Sequence, residues 1–215
     1  MDSHLYIWFI LAGSILSALM YFKKGMPLFL QALPVYLLVT FVVELIGQWM
    51  NNEGRATVTL YNIFVTIEFI FYFWMLQYVI RNRSVKRILR NSLWLYPIVV
   101  ILNKLFLQKG PQFHTLTVSL GCLLIVIAAI TYFFELFQFE KPVDLIREPS
   151  FWICSGLLFY YACIFPLYAL INFFRSPSDL VIKIIDSILA IMNIFLYSSF
   201  IIAALCRIKI TKSLS

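Results

Sequence analysis

Seven runs of apolar residues follow one another along the chain, and short polar clusters separate them. Each run is close to the roughly 20 residues that a helix needs to cross a bilayer. The separating clusters, such as Asn51-Asn52-Glu53-Gly54 and Lys109-Gly110-Pro111, contain residue types that end helices. We therefore predict seven transmembrane helices, at Leu5–Phe22, Leu28–Trp49, Val58–Ile80, Ser92–Leu107, Leu116–Phe137, Phe151–Phe174 and Val181–Cys206. The fourth is the weakest, because it is short and carries Pro97, Asn103 and Lys104, and an alternative start for it lies near Ile88.

The amino-acid composition agrees with this pattern. Of the 215 residues, 62% are hydrophobic and 13% are charged, whereas soluble domains have about 45–50% apolar and about 25% charged residues. A water-soluble fold of this length could not bury so much apolar surface. We therefore predict an all-α polytopic membrane protein that contacts the lipid bilayer along most of its length.

Lys and Arg residues are distributed unevenly between the two sides of the predicted topology. Twelve lie on the side that contains Arg81–Arg90 and the C-terminal tail, and five lie on the other side. Because positively charged loops remain in the cytoplasm, we expect the N-terminus outside the cell and the C-terminus in the cytoplasm. The same distribution accounts for the net charge of +7, so we predict no binding to nucleic acid.

Several polar side chains lie within the predicted helices, where lipid disfavours them. Glu68 is near the middle of the third run, and a carboxylate at that depth is costly unless it is paired, hydrated or protonated. With the N-terminus outside, Glu68 and Asn193 lie nearest the midplane, and most of the other polar groups lie in the outer half. We predict a polar cavity that opens outward, with ligand-binding residues Glu68, Asn62, Asn193, Asp186, Glu44 and Tyr61.

The same side chains also have purely structural interpretations. Glu68 could be a buried carboxyl group hydrogen-bonded to a tyrosine, and Glu44 could be solvated about one helical turn from the surface. Asp186 could form a local ion pair with Lys183, three residues earlier. Polar residues in membrane helices often hydrogen-bond between helices, for about 0.6 kcal/mol each. The sequence leaves both interpretations open.

Two pairs of similar segments indicate an internal repeat. Pro34-Val35-Tyr36-Leu37-Leu38 resembles Pro166-Leu167-Tyr168-Ala169-Leu170, and Asn62-Ile63-Phe64 resembles Asn193-Ile194-Phe195 at a similar distance along the chain. Parallel repeats of this kind place substrate sites near the midplane between the halves. We predict a repeat of residues 5–80 and 116–206, with residues 92–107 as a linker helix.

In these segments the chain resembles the SWEET sugar transporters, which share the outside N-terminus and the three-plus-one-plus-three helix plan. The resemblance implies that Asn62 and Asn193 form the pair that faces the sugar. Glu68 departs from the repeat, because its counterpart in the second half is Ser199. If Glu68 acts in this protein, it acts as an asymmetric element.

A second resemblance lies at the start of the sixth predicted helix. Glu148-Pro149-Ser150-Phe151-Trp152, followed by Gly156-Leu157-Leu158, is similar to uncharacterised small bacterial membrane proteins with an acidic-Pro-x-Phe-Trp start to a late helix. This resemblance implies a place in the bacterial cytoplasmic (inner) membrane. It implies no particular activity.

The sequence lacks the short motifs of common enzyme sites. It contains no Gly-x-Ser-x-Gly, phosphate-binding loop or His-Glu-x-x-His motif. Its two histidines, His4 and His114, lie near the predicted outer surface, and its four cysteines lie inside apolar runs without metal-ligand spacing. We therefore predict no enzymatic activity, no metal and no cofactor.

The cavity leads to two functional hypotheses of different classes. The first is a secondary transporter or facilitator of an unknown small solute, in which Glu68 carries a coupling proton or pairs with a cationic solute. The alternative is a seven-helix receptor or sensor subunit that binds a ligand in the same cavity. Its basic loop, Arg81–Arg90, would then engage a cytoplasmic partner.

Overall fold

The computed structural model describes residues 5–21, 27–110, 112–138, 144–171 and 179–212, and every regular element within these ranges is helical. The α-helices are α1 (Leu5–Tyr21), α2 (Leu28–Asn52), α3 (Val58–Val79), α4 (Arg83–Leu102), α5 (Thr115–Phe137), α6 (Pro149–Ile171) and α7 (Asp179–Lys212). A five-residue π-helical turn, Asn103–Leu107, continues α4. A short 3₁₀ turn, Leu145–Arg147, precedes α6.

Five of the described helices are long and apolar enough to cross a membrane. They cover Leu28–Asn52, Val58–Val79, Thr115–Phe137, Pro149–Tyr168 and Lys183–Cys206. Helix α1 is apolar but shorter, and α4 begins with several basic residues. The prediction of an all-helical protein compatible with a membrane is therefore confirmed. The count of seven spans and their orientation stay predictions.

The basic segment before the fourth predicted span is helical, which corrects the sequence-based prediction. We expected a loop over Arg81–Arg90, but α4 begins at Arg83. Asn82 caps this helix, since its side-chain oxygen accepts hydrogen bonds from the backbone N–H groups of Ser84 (2.9 Å) and Val85 (3.2 Å). The prediction of a loop is wrong from Arg83 onwards.

The first turns of α4 are amphipathic, which explains why a search for continuous apolar runs missed them. Leu89 is buried, with 1% of its surface exposed, and Tyr96 is buried two turns later. The basic residues on the opposite side are all exposed, and their spacing of i, i+3, i+4 and i+7 places them on one face. This basic face of α4 consists of Arg83, Lys86, Arg87 and Arg90.

The helices form two compact units by their backbone contacts. The first unit contains α1, α2 as far as Val42, α6 as far as Tyr160, and α7. The second unit contains the remainder of α2, all of α3 and α4, α5 as far as Glu135, and the remainder of α6. The predicted repeat of residues 5–80 and 116–206 stays a prediction.

Small residues allow close helix packing in the first unit. A Cβ atom built on Gly156 would lie 2.9 Å from the Cβ atom of Ser199, so α6 and α7 are nearly in backbone contact there. At Gly13 of α1, a Cβ atom would lie 3.3 Å from Leu37 and 3.5 Å from Ile201. Such small-residue contacts replace the hydrophobic driving force that is absent between helices in lipid.

Aromatic rings fill the interior of the second unit. The ring of Phe69, which is 1% exposed, has its centroid 5.5 Å from those of Tyr96 and Tyr161. Phe73, which is fully buried, also packs edge-on against Tyr96, with centroids 5.5 Å apart. Helices α3, α4 and α6 therefore meet through a continuous aromatic contact.

Glu135 ties the turn between α3 and α4 to the end of α5. Its two carboxylate oxygens accept hydrogen bonds from the backbone N–H groups of Arg81 (2.7 Å) and Asn82 (2.5 Å). Each oxygen therefore satisfies a backbone donor that the helix ends leave unpaired.

We expect Glu135→Ala to lower the free energy of unfolding by about 1–3 kcal/mol, because two charge-assisted hydrogen bonds are lost. Glu135→Gln keeps one carbonyl acceptor and should lie between the wild type and Glu135→Ala. Unfolding of the purified protein in mixed micelles measures the three values. Equal stability of Glu135→Ala and the wild type would contradict this role.

Candidate functional site

A cavity of about 270 Å³ lies in the second unit, among α3, the end of α4 with its π-helical turn, and the segment before α5. This volume is just below the roughly 300–1,000 Å³ of typical ligand pockets, so it suits a small molecule. The polar residues that line it are Thr59, Asn62, Thr66, Lys104 and His114. We call this the Asn62 cavity.

One face of α3 forms a wall of the Asn62 cavity. The lining residues of this helix are spaced i, i+3, i+4, i+7 and i+8, from Thr59 to Ile67, which is the spacing of a single helical face. Glu68 and Tyr72 lie on a different face, and both are buried. Asn62 and Glu68 were predicted for one cavity, but a regular helix presents them on different faces of α3.

Asn62 holds the segment that leads into α5. Its side-chain Nδ2 donates a hydrogen bond to the backbone oxygen of Gln112 (2.9 Å), and its Oδ1 accepts one from the backbone N–H of His114 (3.0 Å). Both ends of the amide group are therefore used, and they fix the segment that carries the imidazole of His114. One N–H of the Asn62 amide stays available to a ligand, since an NH₂ group has two donors.

The π-helical turn is fastened to the start of α5 through Gln108. The backbone N–H of Gln108 donates to the carbonyl oxygen of Asn103 (2.8 Å), and the Asn103 side chain donates to Gln108 Oε1 (2.9 Å). Gln108 Nε2 in turn donates to Thr115 Oγ1 (2.9 Å). Lys104 lies in this turn and lines the cavity. π-Helical turns occur frequently at functional sites.

The cavity carries positive charge without a compensating carboxylate. No acidic residue lines it, and Lys104 forms no ion pair with any acidic side chain in the described part of the chain. His114 is 5% exposed, and its ring nitrogen Nδ1 is buried without a hydrogen-bond partner among the described residues. Burial lowers the pKa of His114, and the nearby Lys104 ammonium lowers it further. The imidazole is therefore neutral at pH 7.

The lowered pKa of His114 predicts a loss of stability in mild acid. At a pH above 6.5, the ordinary pKa of histidine, His114 is neutral in both the folded and the unfolded chain. Its contribution to the free energy of unfolding is then fully present. As the pH falls below that value, the unfolded chain binds a proton that the folded chain does not. The free energy of unfolding therefore decreases, until the pH is below the pKa of His114 in the folded chain as well. His114→Gln should remove the part of the acid-induced loss of stability that is due to this histidine.

Thermal unfolding of detergent-solubilised protein between pH 7.5 and pH 5 measures the effect. We expect the wild type to lose more stability than His114→Gln over this range, because other titrating groups are common to both proteins. Parallel pH curves for the two proteins would contradict the interpretation.

Two of the predicted site residues pair with each other. The Tyr61 hydroxyl on α3 donates a hydrogen bond to Glu44 Oε2 on α2, at 3.2 Å. Gly47 makes room for this contact, because a Cβ atom at that position would collide with the Tyr61 hydroxyl. Neither Glu44 nor Tyr61 lines the Asn62 cavity. This pair connects α2 and α3 within the second unit.

Glu68 lies in the interior of the second unit and does not line the Asn62 cavity. Its side chain is 8% exposed. Tyr96 on α4, Cys122 on α5 and Tyr168 on α6 lie within electrostatic range of its carboxylate. Glu68 therefore lies among helices that pack against the inner face of α3, next to the aromatic contact around Phe69.

The remaining two predicted residues belong to the first unit. Asp186 is exposed on α7, and Asn193 is partly exposed two turns later. Of the six predicted residues, Asn62 is therefore the one that lines the described cavity. No group of three or more His, Cys, Asp or Glu residues could hold a metal ion within the described ranges.

Sequence reasoning did not select Lys104 or His114 as ligand-binding residues. The predicted fourth helix contained Lys104, but the π-helical turn changes the direction of every side chain after Asn103. His114 lies outside the predicted spans, and its link to Asn62 joins residues 52 positions apart in the chain. One signal for this site was available in the sequence. It was a cluster of polar residues at the end of the weak fourth span, namely Asn103, Gln108 and Thr115.

Comparison with known proteins identifies no family for this chain. No protein-family model, no curated protein and no solved structure matches it significantly. The resemblances to SWEET transporters and to small bacterial membrane proteins therefore stay predictions.

Proposed function

We propose that the chain is a polytopic membrane protein that binds a small solute in the Asn62 cavity and facilitates its passage across the membrane. The observation that carries this proposal is a small cavity lined by both polar and apolar side chains and bounded by a helix that changes to π-helical geometry. Secondary transporters often place interrupted helices at their substrate sites.

The position of the cavity is compatible with a membrane location. Irregular backbone at membrane depth is tolerated where it is buried in protein or lines a cavity. The π-helical turn is held to the start of α5 by Gln108, and it supplies Lys104 to the cavity. An irregular segment that presents a cation with no ion-pair partner among the described residues is a candidate ligand site.

The proposal includes seven spans, with α1 and α4 also crossing the membrane and the N-terminus outside. The basic face of α4 then lies at the cytoplasmic surface, and the Asn62 cavity lies in the outer half. We expect a cysteine at Arg87 to react with an impermeant maleimide only in inverted vesicles, and one at Lys109 only in intact spheroplasts. The reverse result would contradict the orientation.

Transport is tested by counterflow in proteoliposomes. Vesicles are preloaded with unlabelled D-glucose, L-alanine, choline or L-lactate, and entry of the matching labelled solute is followed. We expect at least one of the four to exchange faster than in empty liposomes, and Asn62→Ala to abolish the acceleration. Asn91→Ala on the exposed side of α4 is the matched control. No acceleration for any solute would contradict a transport function.

A coupling role for Glu68 is a separate part of the proposal. Glu68 is buried in the second unit. In the proposed topology it lies at membrane depth, where carboxyl groups mark proton relays in transporters. Glu68→Gln should abolish the pH dependence of counterflow for whichever solute exchanges. Unchanged transport by this variant between pH 5.5 and pH 8 would contradict the coupling role.

The exposed basic face of α4 favours a sensor subunit as a second candidate. Its four cations lie on one side of a capped helix and make no ion pair with a described residue. A partner with an acidic surface would fit this face. A stoichiometric partner recovered from native membranes, lost on Arg83→Gln/Arg87→Gln and accompanied by no solute flux, would favour the sensor over the transporter.

A further inference from the structure

We infer that the ligand of the Asn62 cavity is a small organic anion that carries a short apolar portion. This inference rests on the proposed function in one respect, namely that the cavity is the ligand site. It goes further because it assigns the chemical class of the ligand and the residue that recognises its charge.

The polar groups of the cavity are mainly hydrogen-bond donors. Lys104 offers three ammonium hydrogens, and the Asn62 amide has one N–H that its bond to Gln112 does not use. The Thr59 hydroxyl forms no hydrogen bond with a described residue and can donate as well. Donors around a positive charge match a carboxylate or sulfonate, which offers acceptors alone.

The charge of Lys104 has no partner within the described residues. All acidic side chains are absent from the cavity wall, and the ion pair that the described part of the chain contains joins Arg147 to Asp144. A cationic solute would therefore meet repulsion from Lys104 and no compensating carboxylate. Lys104 is exposed, and a neutral sugar would offer its ammonium group no counter-charge.

Apolar side chains alternate with the donors along the cavity. They are contributed by α3 and α4 and give the ligand a hydrocarbon contact beside the donors. These residues are Ile63, Ile67, Pro97, Val100 and Ile101. The volume of 270 Å³ corresponds to about nine water molecules at roughly 30 Å³ each. A charged head with a short hydrocarbon chain fills such a space.

Binding of three six-carbon probes of different charge tests the inference. Hexanoate, hexanamide and hexylammonium are titrated at pH 7.5 onto the full-length protein in phosphatidylcholine nanodiscs, with empty nanodiscs as background. We expect hexanoate to bind at least about tenfold more tightly than the other two, because a charge-assisted hydrogen bond to Lys104 is available only to the anion.

Variants of two neighbouring lysines separate recognition from general electrostatics. Lys104→Gln should weaken hexanoate binding at least about tenfold, and Lys104→Arg should retain most of it. Lys109, five residues away, is exposed like Lys104 but does not line the cavity, so Lys109→Gln should bind like the wild type. Thermal unfolding confirms that each variant is folded.

Several results would overturn the inference. These are equal binding of hexanoate and hexanamide, tighter binding of hexylammonium, wild-type binding by Lys104→Gln, or no binding of any probe. Loss of hexanoate binding in nanodiscs with 20% phosphatidylglycerol would also overturn it, by assigning the site to a lipid headgroup.

The two proposals fail in distinguishable ways. If hexanoate binds through Lys104 but no solute exchanges in proteoliposomes, the site assignment stands and the transport function fails. If D-glucose or choline exchanges faster than in empty liposomes but hexanoate does not bind, transport stands and the anion assignment fails.

Discussion

Replacing Asn62 with alanine is expected to detach the segment before α5 and to abolish ligand binding in the cavity. The backbone oxygen of Gln112 and the backbone N–H of His114 both lose their partner. Each lost hydrogen bond lowers the free energy of unfolding by about 1 kcal/mol, and more where the freed group stays buried. Because His114 itself is buried, we expect a total loss of about 1–3 kcal/mol.

Aspartate at the same position distinguishes the structural role from the binding role. Asn62→Asp keeps the oxygen that accepts from the His114 N–H, but it loses the donor to Gln112 and adds a negative charge near Lys104. We expect Asn62→Asp to be more stable than Asn62→Ala but to bind hexanoate no better, because the new carboxylate competes for Lys104. Unfolding in mixed micelles and titration of hexanoate in nanodiscs give the two rankings.

Wild-type stability and wild-type hexanoate binding in Asn62→Ala would contradict this account of the residue. A fall in stability with unchanged binding would leave Asn62 with a structural role alone. The control Asn91→Ala, on the exposed side of α4, should change neither quantity.

Gly121→Ala is expected to disrupt aromatic packing in the second unit. A Cβ atom at Gly121 would lie 2.8 Å from three ring carbons of Phe69, which is closer than real Cβ contacts allow. The Phe69 ring cannot withdraw freely, since it contacts the rings of Tyr96 and Tyr161. Overpacking of this kind costs about 1–3 kcal/mol, against a gain of at most about 1 kcal/mol from the helix propensity of alanine.

A double-mutant cycle identifies Phe69 as the cause. Phe69→Leu vacates the space that the new methyl group needs, so Gly121→Ala should be less destabilising in that background than in the wild type. The coupling energy of residues in contact is about 0.5–3 kcal/mol. Strictly additive effects in the unfolding free energy would show that the ring does not restrict Gly121.

The sequence predicts the helices better than it predicts their contacts. Apolar runs are long and continuous in α2, α3 and α5, so hydropathy alone finds them. It fails at the start of α4, where the exposed face is basic and the stabilising pattern is the 3.6-residue period of buried side chains such as Leu89 and Tyr96. The Asn82 cap, visible in the sequence, is the local signal for that start.

For the candidate site as well, the sequence predicts some residue positions correctly and others wrongly. Periodicity correctly separates the Asn62 and Glu68 faces of α3, because that helix is regular. It misplaces side chains after Asn103, because a π-helical turn contains more residues than the 3.6 that a helical projection assumes. The pairing of Tyr61 with Glu44 joins two residues predicted for one cavity, but it uses them in a contact between helices.

The central claim is that a small anion occupies the Asn62 cavity, and protection of a cysteine in its wall tests this most directly. Thr59 lines the cavity, whereas Thr57 does not line it and makes no side-chain cap hydrogen bond at the start of α3. Cysteine is placed at each position in turn, in protein whose more accessible native thiols, Cys163 and Cys206, are replaced by serine. The rate of alkylation by a maleimide is then measured in nanodiscs with and without hexanoate.

We predict that hexanoate slows the reaction of Thr59→Cys severalfold and leaves the rate for Thr57→Cys unchanged. Equal rates with and without hexanoate at both positions would contradict the claim.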